Sequence, residues 1–368
     1  MILRSKLRSM SAWRFRLNAH TYRLLVFKDR GPATLLDTAG FGDNSELSES
    51  RISKATKIFD RADVAVLVVE PNTWTDFEEE IYQKVKSNKI ALIIVINKID
   101  TVAPNDDFLK IISKKSKHFL QISANENISA FKSELLKVLP KDAIESKPLV
   151  RDLIPEGGLC ILIVPIDMEA PKGRIILPQV QTIRDILDSN SIAIVVKESE
   201  YADTLKILNR KPDLVVCDSQ VVFKMVAETP EDIPCTTFSI LFSRLKGDLD
   251  EEVKGLNILN DIKENDKILI AEACSHHAME DDIGRVKIPK WLKSYLKEVP
   301  EIDVANGRDY PANLQDYKLI IHCGACMLTR NEKLVRIEKA KQAGVPITNY
   351  GIIISQLHNV LERVLSPF

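Results

Sequence analysis

The stretch LIIHCGAC, residues 319–326, places two cysteines directly after an apolar run that predicts a buried parallel strand. A second apolar run at 268–271 is followed in the same way by Cys274. Neighbouring parallel strands end at one edge of a sheet, where open α/β sheets bind their ligands, so we expect these thiols to lie together. The two-residue gap between Cys323 and Cys326 lets both sulfurs face one metal centre, with Cys274 as a third thiolate.

Three thiolates leave the identity of the metal open. Zinc would complete a tetrahedral site with His276, His277 or His322 as its fourth ligand. An iron-sulfur cubane held by three cysteines would instead keep one iron open to an exchangeable ligand. A third interpretation is a redox pair, or two cysteines that are adjacent by chance.

Composition describes a globular protein of moderate size. The chain has 368 residues, which predicts two to three domains, and its net charge of −1 with 45% hydrophobic residues does not indicate a nucleic-acid binder or a disordered protein. Six cysteines, without a secretory signal or an apolar run near 18 residues, predict a reduced cytoplasmic protein that does not bind membranes. Cys160, Cys217 and Cys235 lie in apolar segments away from other ligands, and we expect them to be buried and structural.

Strand-like and helix-like segments alternate along the chain, which predicts an α/β protein with mainly parallel sheets in three domains. The polar segment before Pro148 is the best linker candidate, so residues 1–147 form the first domain. Residues 148–233 form a short βαβ block, whose apolar surface is covered either by a second copy, as in a dimerisation domain, or by docking within the chain. Residues 234–368 contain the three cysteines.

The first domain carries a set of nucleotide-binding motifs at strand ends. In Asp37-Thr38-Ala39-Gly40, the aspartate can hold magnesium through water while the Gly40 amide approaches a terminal phosphate. In the tetrapeptide Asn97-Lys98-Ile99-Asp100, the carboxylate can accept hydrogen bonds from a guanine edge. Ser123-Ala124-Asn125 completes the order found in small GTP-binding domains, so these motifs together indicate a GTP site.

The phosphate-binding loop G-x-x-x-x-G-K-S/T is absent from this sequence. Either this polypeptide has lost nucleotide hydrolysis, in which case we expect no detectable GTP hydrolysis, or the sequence omits a segment. The basic stretch of the N-terminus, with Trp13 and Phe15 among its arginines and lysines, predicts the surface of a helix. Its basic residues are Arg4, Lys6, Arg8, Arg14 and Arg16.

The order of these features resembles the FeFe-hydrogenase maturation GTPase family. The resemblance rests on a GTPase-like first part, a middle βαβ block, the C-x-H of Cys274-Ser275-His276, and the H-C-x-x-C at residues 322–326. It covers the chain from about Lys28 to the C-terminus, and the cysteine-histidine pattern is its most specific part. The missing phosphate loop is its clear departure.

The resemblance implies a scaffold that carries a 4Fe-4S cluster on Cys274, Cys323 and Cys326, together with a precursor of the hydrogenase di-iron subcluster. Apo FeFe-hydrogenase and the radical-SAM maturases would be its partners, and a homodimer its assembly. His276 and His322 match the family's histidines, as iron ligands or as hydrogen-bonding neighbours of the thiolates. Two alternatives remain: an assembly or regulatory GTPase with a structural Cys3His zinc site, and a thiol-disulfide enzyme using Cys323 and Cys326.

Overall fold

The computed structural model describes residues 14–17, 20–27, 31–37, 59–123, 128–140, 147–166, 174–273, 282–296, 300–307 and 310–368. The chain divides into two compact units, Met1–Ser146 and Lys147–Phe368. The division falls within the polar segment that the sequence indicates as a linker.

The first unit contains an antiparallel and a parallel sheet. The antiparallel sheet has the order β1-β2-β3, with strands β1 (Arg14–Leu17), β2 (His20–Phe27) and β3 (Gly31–Asp37). The parallel sheet has the order β4-β5-β6, with strands β4 (Val64–Val69), β5 (Ala91–Asn97) and β6 (Phe119–Ile122). The prediction of a helical surface at Arg14 and Arg16 is wrong, because both lie in β1. The alternation Arg-Phe-Arg-Leu has the two-residue period of a strand.

The described part of the first unit contains three α-helices, and capping residues in the sequence mark where the first two begin. The helices are α1 (Asp76–Ser87), α2 (Asp106–Lys115) and α3 (Ile128–Val138). Before α1, the Thr75 backbone N–H donates to the Glu78 carboxylate at 2.8 Å. Asn105 Oδ1 accepts a hydrogen bond from the Phe108 N–H at 2.8 Å and so caps α2. Ile93, Ile94 and Ile96 of the middle strand β5 have no exposed surface and belong to buried clusters with residues of the three helices.

The second unit begins with a four-stranded parallel sheet of order β10-β9-β7-β8. Its strands are β7 (Leu159–Ile163), β8 (Ile192–Val196), β9 (Leu214–Cys217) and β10 (Cys235–Thr237). The helices of this part are α4 (Leu177–Asp188), α5 (Tyr201–Ile207), α6 (Val222–Glu228) and α7 (Phe238–Lys246). Because β10 pairs with β9, the middle sheet gains a fourth strand after residue 233.

A second four-stranded parallel sheet follows, with the order β12-β11-β13-β14. Its strands are β11 (Lys267–Ala271), β12 (Glu301–Ala305), β13 (Leu319–His322) and β14 (Ile347–Asn349). The helices are α8 (Leu249–Lys254), α9 (Ile288–Tyr295), α10 (Arg330–Gln342), α11 (Tyr350–Leu357) and α12 (Leu361–Leu365). The prediction that β11 and β13 are buried parallel strands is confirmed.

Both sheets of the second unit share one hydrophobic core. Ile161 and Val215 of the middle sheet belong to the same buried cluster as Ile270 and Ile321 of the C-terminal sheet. Ile353 of α11 is part of this cluster as well. The two halves of this unit are therefore packed against each other. Three parallel sheets interspersed with helices confirm the predicted α/β fold class.

Candidate metal centre

The cysteine segments leave neighbouring strands at the same edge of the C-terminal sheet. Strand β11 pairs with β13 in parallel, and Ala271 lies opposite His322. Glu272 and Cys323, the residues that follow these two strands, therefore start side by side. The sequence predicted this juxtaposition from two apolar runs alone.

A backbone hydrogen bond joins the two segments at the first thiol. The Ala273 N–H donates to Cys323 Sγ at 3.1 Å. This hydrogen bond joins Ala273, the residue that precedes Cys274 in the sequence, to the Cys323 sulfur. Hydrogen bonds from backbone N–H groups to sulfur are a feature of thiolate sites that bind iron-sulfur clusters. Cys274 itself, with His276 and His277, lies outside the described residues.

Cys323 and Cys326 are both partly exposed at the end of β13. Between them, Ala325 has a φ of 54°, in the left-handed region, and is 1% exposed. Burial raises the pKa of the Cys326 thiol and Cys323 raises it further, while the nearby Lys246 ammonium and backbone hydrogen bonds lower it. A bound cation would favour the thiolate form of such a cysteine.

His322 is fully buried, and both of its ring nitrogens have partners. Arg336 donates to Nε2 at 3.0 Å, so Nε2 is the acceptor and Nδ1 carries the proton that it donates to the Cys323 carbonyl at 2.8 Å. Burial, together with the charges of Lys333 and Arg336, holds the pKa of His322 well below its usual value. In this arrangement the imidazole is neutral and orients the backbone of the first cysteine.

Glu272, which directly precedes Ala273, forms a group with an arginine and a tyrosine next to the cysteine segments. Glu272 is 2% exposed; its carboxylate accepts hydrogen bonds from Arg285 at 3.0 Å and from the Tyr350 hydroxyl at 3.4 Å. Burial raises the pKa of Tyr350 well above its usual value, and the nearby Cys323 and Glu272 raise it further. Sequence reasoning missed this group. The sequence signal for this group is Glu272, a charged residue between the apolar run at 268–271 and Cys274.

The remaining cysteines are buried, as predicted. Cys160, Cys217 and Cys235 have no exposed surface, and burial raises the pKa of each thiol. They lie within strands β7, β9 and β10.

In the part of the chain that the structure describes, no three His, Cys, Asp or Glu side chains are placed to hold a metal ion. The described residues supply two thiols, Cys323 and Cys326, and the backbone donor of Ala273. Two thiols and a backbone N–H donor suit a thiolate-bound metal.

Two of the three nucleotide-binding motifs follow adjacent strands of the parallel sheet in the first unit. Asn97, the last residue of β5, lies opposite Ile122 of β6, so Asp100 and the buried Ser123 follow adjacent strand ends. Asn97 Oδ1 is buried and has no hydrogen-bond partner among the described residues. Asp100 is exposed.

Lys98 has a φ of 65° and its ammonium pairs with Glu70 at the end of β4. Asp37 is the last residue of β3. Gly40 and Ala124 lie outside the described residues. The edge that carries Asn97 and Ser123 is thus the one at which the predicted guanine contacts would be made.

No helix in the described ranges is both long and apolar enough to cross a membrane.

Three family models match successive parts of the chain. Residues 10–98 match a family described as 50S ribosome-binding GTPase. Residues 149–247 match the hydrogen maturase F dimerization domain, and residues 250–367 match the hydrogen maturase F tetramerization domain. The last of these ranges contains all three predicted cysteine ligands.

Curated relatives include GTPase Era from Aquifex aeolicus, 25% identical over 192 residues, which are 51% of this chain and 60% of the relative. The tRNA modification GTPase MnmE from Caldicellulosiruptor saccharolyticus is 27% identical over 116 residues, 31% of this chain and 25% of the relative. The alignments thus span at most 60% of the length of these relatives. A crystal structure of an Aquifex aeolicus Era variant bound to GDP.AlF4- has a TM-score of 0.30 and 19% identity, covering 52% of this chain and 87% of that one.

Proposed function

Because this chain belongs to the FeFe-hydrogenase maturation GTPase family, whose domain models are those of hydrogen maturase F, we propose that it is a cluster-carrying scaffold. It holds a 4Fe-4S cluster and a precursor of the di-iron subcluster, and it delivers that precursor to apo FeFe-hydrogenase. The observation that supports this most directly is the edge shared by β11 and β13, where the Ala273 N–H donates to Cys323 Sγ.

Cys274, Cys323 and Cys326 are the proposed ligands. A cubane held by three cysteines supplies one iron that is open to an exchangeable ligand, which suits a protein that releases its cargo. Cys323 and Cys326 bind through sulfur, while the Ala273 N–H stabilises negative charge on Cys323. His322 fixes the Cys323 carbonyl, and His276 remains a candidate for the exchangeable position.

The first unit is proposed to bind GTP with magnesium. Asp37 and Gly40 would serve the metal and the terminal phosphate, and Asp100 the guanine edge. The buried, unpartnered Asn97 Oδ1 supports a role in binding, since buried polar atoms normally have a hydrogen-bond partner. Competition of a fluorescent GDP by unlabelled GDP, but not by ADP, would support this proposal, and equal competition by both would refute it.

The proposed setting is the cytoplasm, with the radical-SAM maturases as the source of the precursor and apo-hydrogenase as its acceptor. The matched dimerization and tetramerization domain models both lie within the second unit, which supports an oligomer formed through this unit. A homodimer through the middle sheet is the proposed minimal assembly.

A transfer assay tests the function. The protein is loaded by the maturases, separated from them, and mixed with apo-hydrogenase, whose hydrogen evolution is then measured. We expect wild-type protein and the buried-thiol control Cys217→Ala to activate the hydrogenase, and Cys326→Ser to activate it weakly or not at all. Full activation by loaded Cys326→Ser would contradict the scaffold role of this site.

A further inference from the structure

Residues 323–328, which we call the cysteine turn, contain Cys323 and Cys326. Three backbone carbonyl groups of this turn accept hydrogen bonds from one side chain of the middle part of the second unit. Lys246, the last residue of α7, donates to the carbonyls of Leu328 at 2.8 Å, Cys326 at 2.9 Å and Ala325 at 3.4 Å. These contacts join residues 79 to 82 positions apart in sequence. One ammonium group thus binds the backbone of the turn at three points.

A second cation makes the reciprocal contact. Arg330, the first residue of α10, donates to the carbonyl of Leu245 at 2.9 Å and to that of Gly247 at 3.5 Å. Leu245 and Gly247 flank Lys246, at the end of α7, where helix carbonyls need partners. We call Lys246, Arg330 and the carbonyls they contact the clasp.

The turn needs such support. Ala325 adopts a left-handed backbone, which a residue with a Cβ rarely adopts without compensation. It is also 1% exposed, so its carbonyl must find a donor other than bulk water. The Lys246 ammonium and the Leu328 N–H, at 3.0 Å, both donate to that carbonyl.

We propose that Lys246 is a positioning residue for the cysteine turn: it holds the backbone between Cys323 and Leu328 in the ligating conformation and places a positive charge beside the bound cluster. The inference rests on the cluster-binding function proposed above. It goes further by assigning control of the site to a helix that belongs to the matched dimerization domain. The cluster site is then incomplete without that domain.

Lysine suits this task better than arginine. Its ammonium is compact and has three donors in a tetrahedral arrangement, which matches three converging carbonyls, whereas the guanidinium donors lie in one plane. Lys246→Arg therefore keeps the charge but loses part of the geometry. Lys246→Met removes the charge and all three hydrogen bonds while filling a similar volume.

The first test uses the full-length protein without cluster. Iodoacetamide labels the thiols, and mass spectrometry of peptides gives the rate at Cys323 and Cys326 separately. Rates are compared per thiolate, from the pH profile of each variant, because loss of the Lys246 charge raises the pKa of Cys326 and by itself slows alkylation. On this basis we expect labelling of Cys326 in Lys246→Met to be about tenfold faster than in wild type, since a lost charge-assisted hydrogen bond favours opening of the turn by about that factor. Lys211→Met, which removes an exposed lysine paired with Asp232, is the matched control and should leave the rate unchanged.

The second test uses the protein after cluster reconstitution. The reduction potential, followed by EPR, should be more negative in Lys246→Met than in wild type, because a nearby positive charge favours the reduced cluster. Lys246→Arg should stay near the wild-type potential. If the lysine acted only by packing, the reduction potentials of Lys246→Met and Lys246→Arg would not differ in this way.

Equal labelling rates in wild type and Lys246→Met would overturn the proposal, and so would equal potentials. Arg330→Met gives an independent check, because it loosens the clasp without touching the three turn carbonyls, and it should also speed labelling of Cys326. If wild type takes up no cluster, the proposed function fails, while the labelling comparison still decides whether Lys246 positions the turn.

Discussion

At the scale of single residues, exposure separates the proposed ligands from the other thiols. Cys323 and Cys326 are partly exposed at a sheet edge, whereas Cys160, Cys217 and Cys235 have no exposed surface. A metal ligand must be reachable by an incoming metal, and a thiol without exposed surface is not. The difference supports a functional role for the first pair and a packing role for the other three.

Substituting a proposed ligand should remove the cluster. We expect Cys274→Ser, Cys323→Ser and Cys326→Ser each to lose most of the iron and sulfide after anaerobic reconstitution, because two thiolates leave two irons open to solvent. Iron and sulfide assays on the purified variants measure this loss. Cys217→Ala, which changes a buried thiol of β9, should keep the wild-type content. Normal content in Cys274→Ser would show that the third ligand is assigned wrongly.

At the scale of secondary-structure elements, a buried ion pair holds the helices around the C-terminal sheet. Lys333 of α10 lies 2.6 Å from Glu252 of α8, and the two side chains are 2% and 0% exposed. Ser243 of α7 and Asn349 of β14 also donate to the Glu252 carboxylate. Four elements therefore meet at one buried carboxylate.

Removing the lysine should destabilise the second unit strongly. Lys333→Met leaves the Glu252 charge buried without its cation, which costs about 3–5 kcal/mol. Unfolding in urea, followed by circular dichroism, measures the free-energy difference. Lys211→Met, at an exposed pair, should change it by no more than about 1 kcal/mol. Similar losses in the two variants would contradict the role of the buried pair.

Elements set by local signals were predicted well from the sequence. The sequence pattern predicts a helix over residues 76–87, which are the bounds of α1, and a basic helix over residues 331–343, one residue later at each end than α10. A capping box at Thr329 and Glu332 marks the start of α10 in the sequence. Contacts between distant residues gave no such signal: Lys246 lies 80 positions from Cys326, and periodicity does not reveal which side chain will meet a turn. The pairing of β1 with β2 is local, with Leu17 opposite His20, and it was missed because the basic stretch was interpreted as the surface of a helix.

At the scale of the whole molecule, strand β8 is the open edge of the middle sheet. In the described residues it pairs only with β7, and Ile192 and Val195 are 51% and 46% exposed. An exposed apolar edge strand readily pairs with another chain, and β8 lies inside the matched dimerization domain. We infer that this edge takes part in assembly.

A charge on this edge should weaken the assembly. We expect Val195→Lys to shift the protein towards the monomer in size-exclusion chromatography with light scattering, because a lysine on an edge strand opposes pairing. Ile207→Lys is the control, since Ile207 is 78% exposed on α5 of the same domain. An unchanged mass for Val195→Lys would exclude the β8 edge from the interface.

The central claim is that Cys274, Cys323 and Cys326 hold an iron-sulfur cubane. Its most direct test is metal and sulfide analysis of the full-length protein purified without oxygen, combined with EPR of the reduced sample. The account predicts a brown protein with about four irons and about four sulfides per chain, and an EPR signal that added imidazole perturbs at the open iron. A colourless protein with about one zinc per chain and no sulfide would contradict it and would favour a structural Cys3His site.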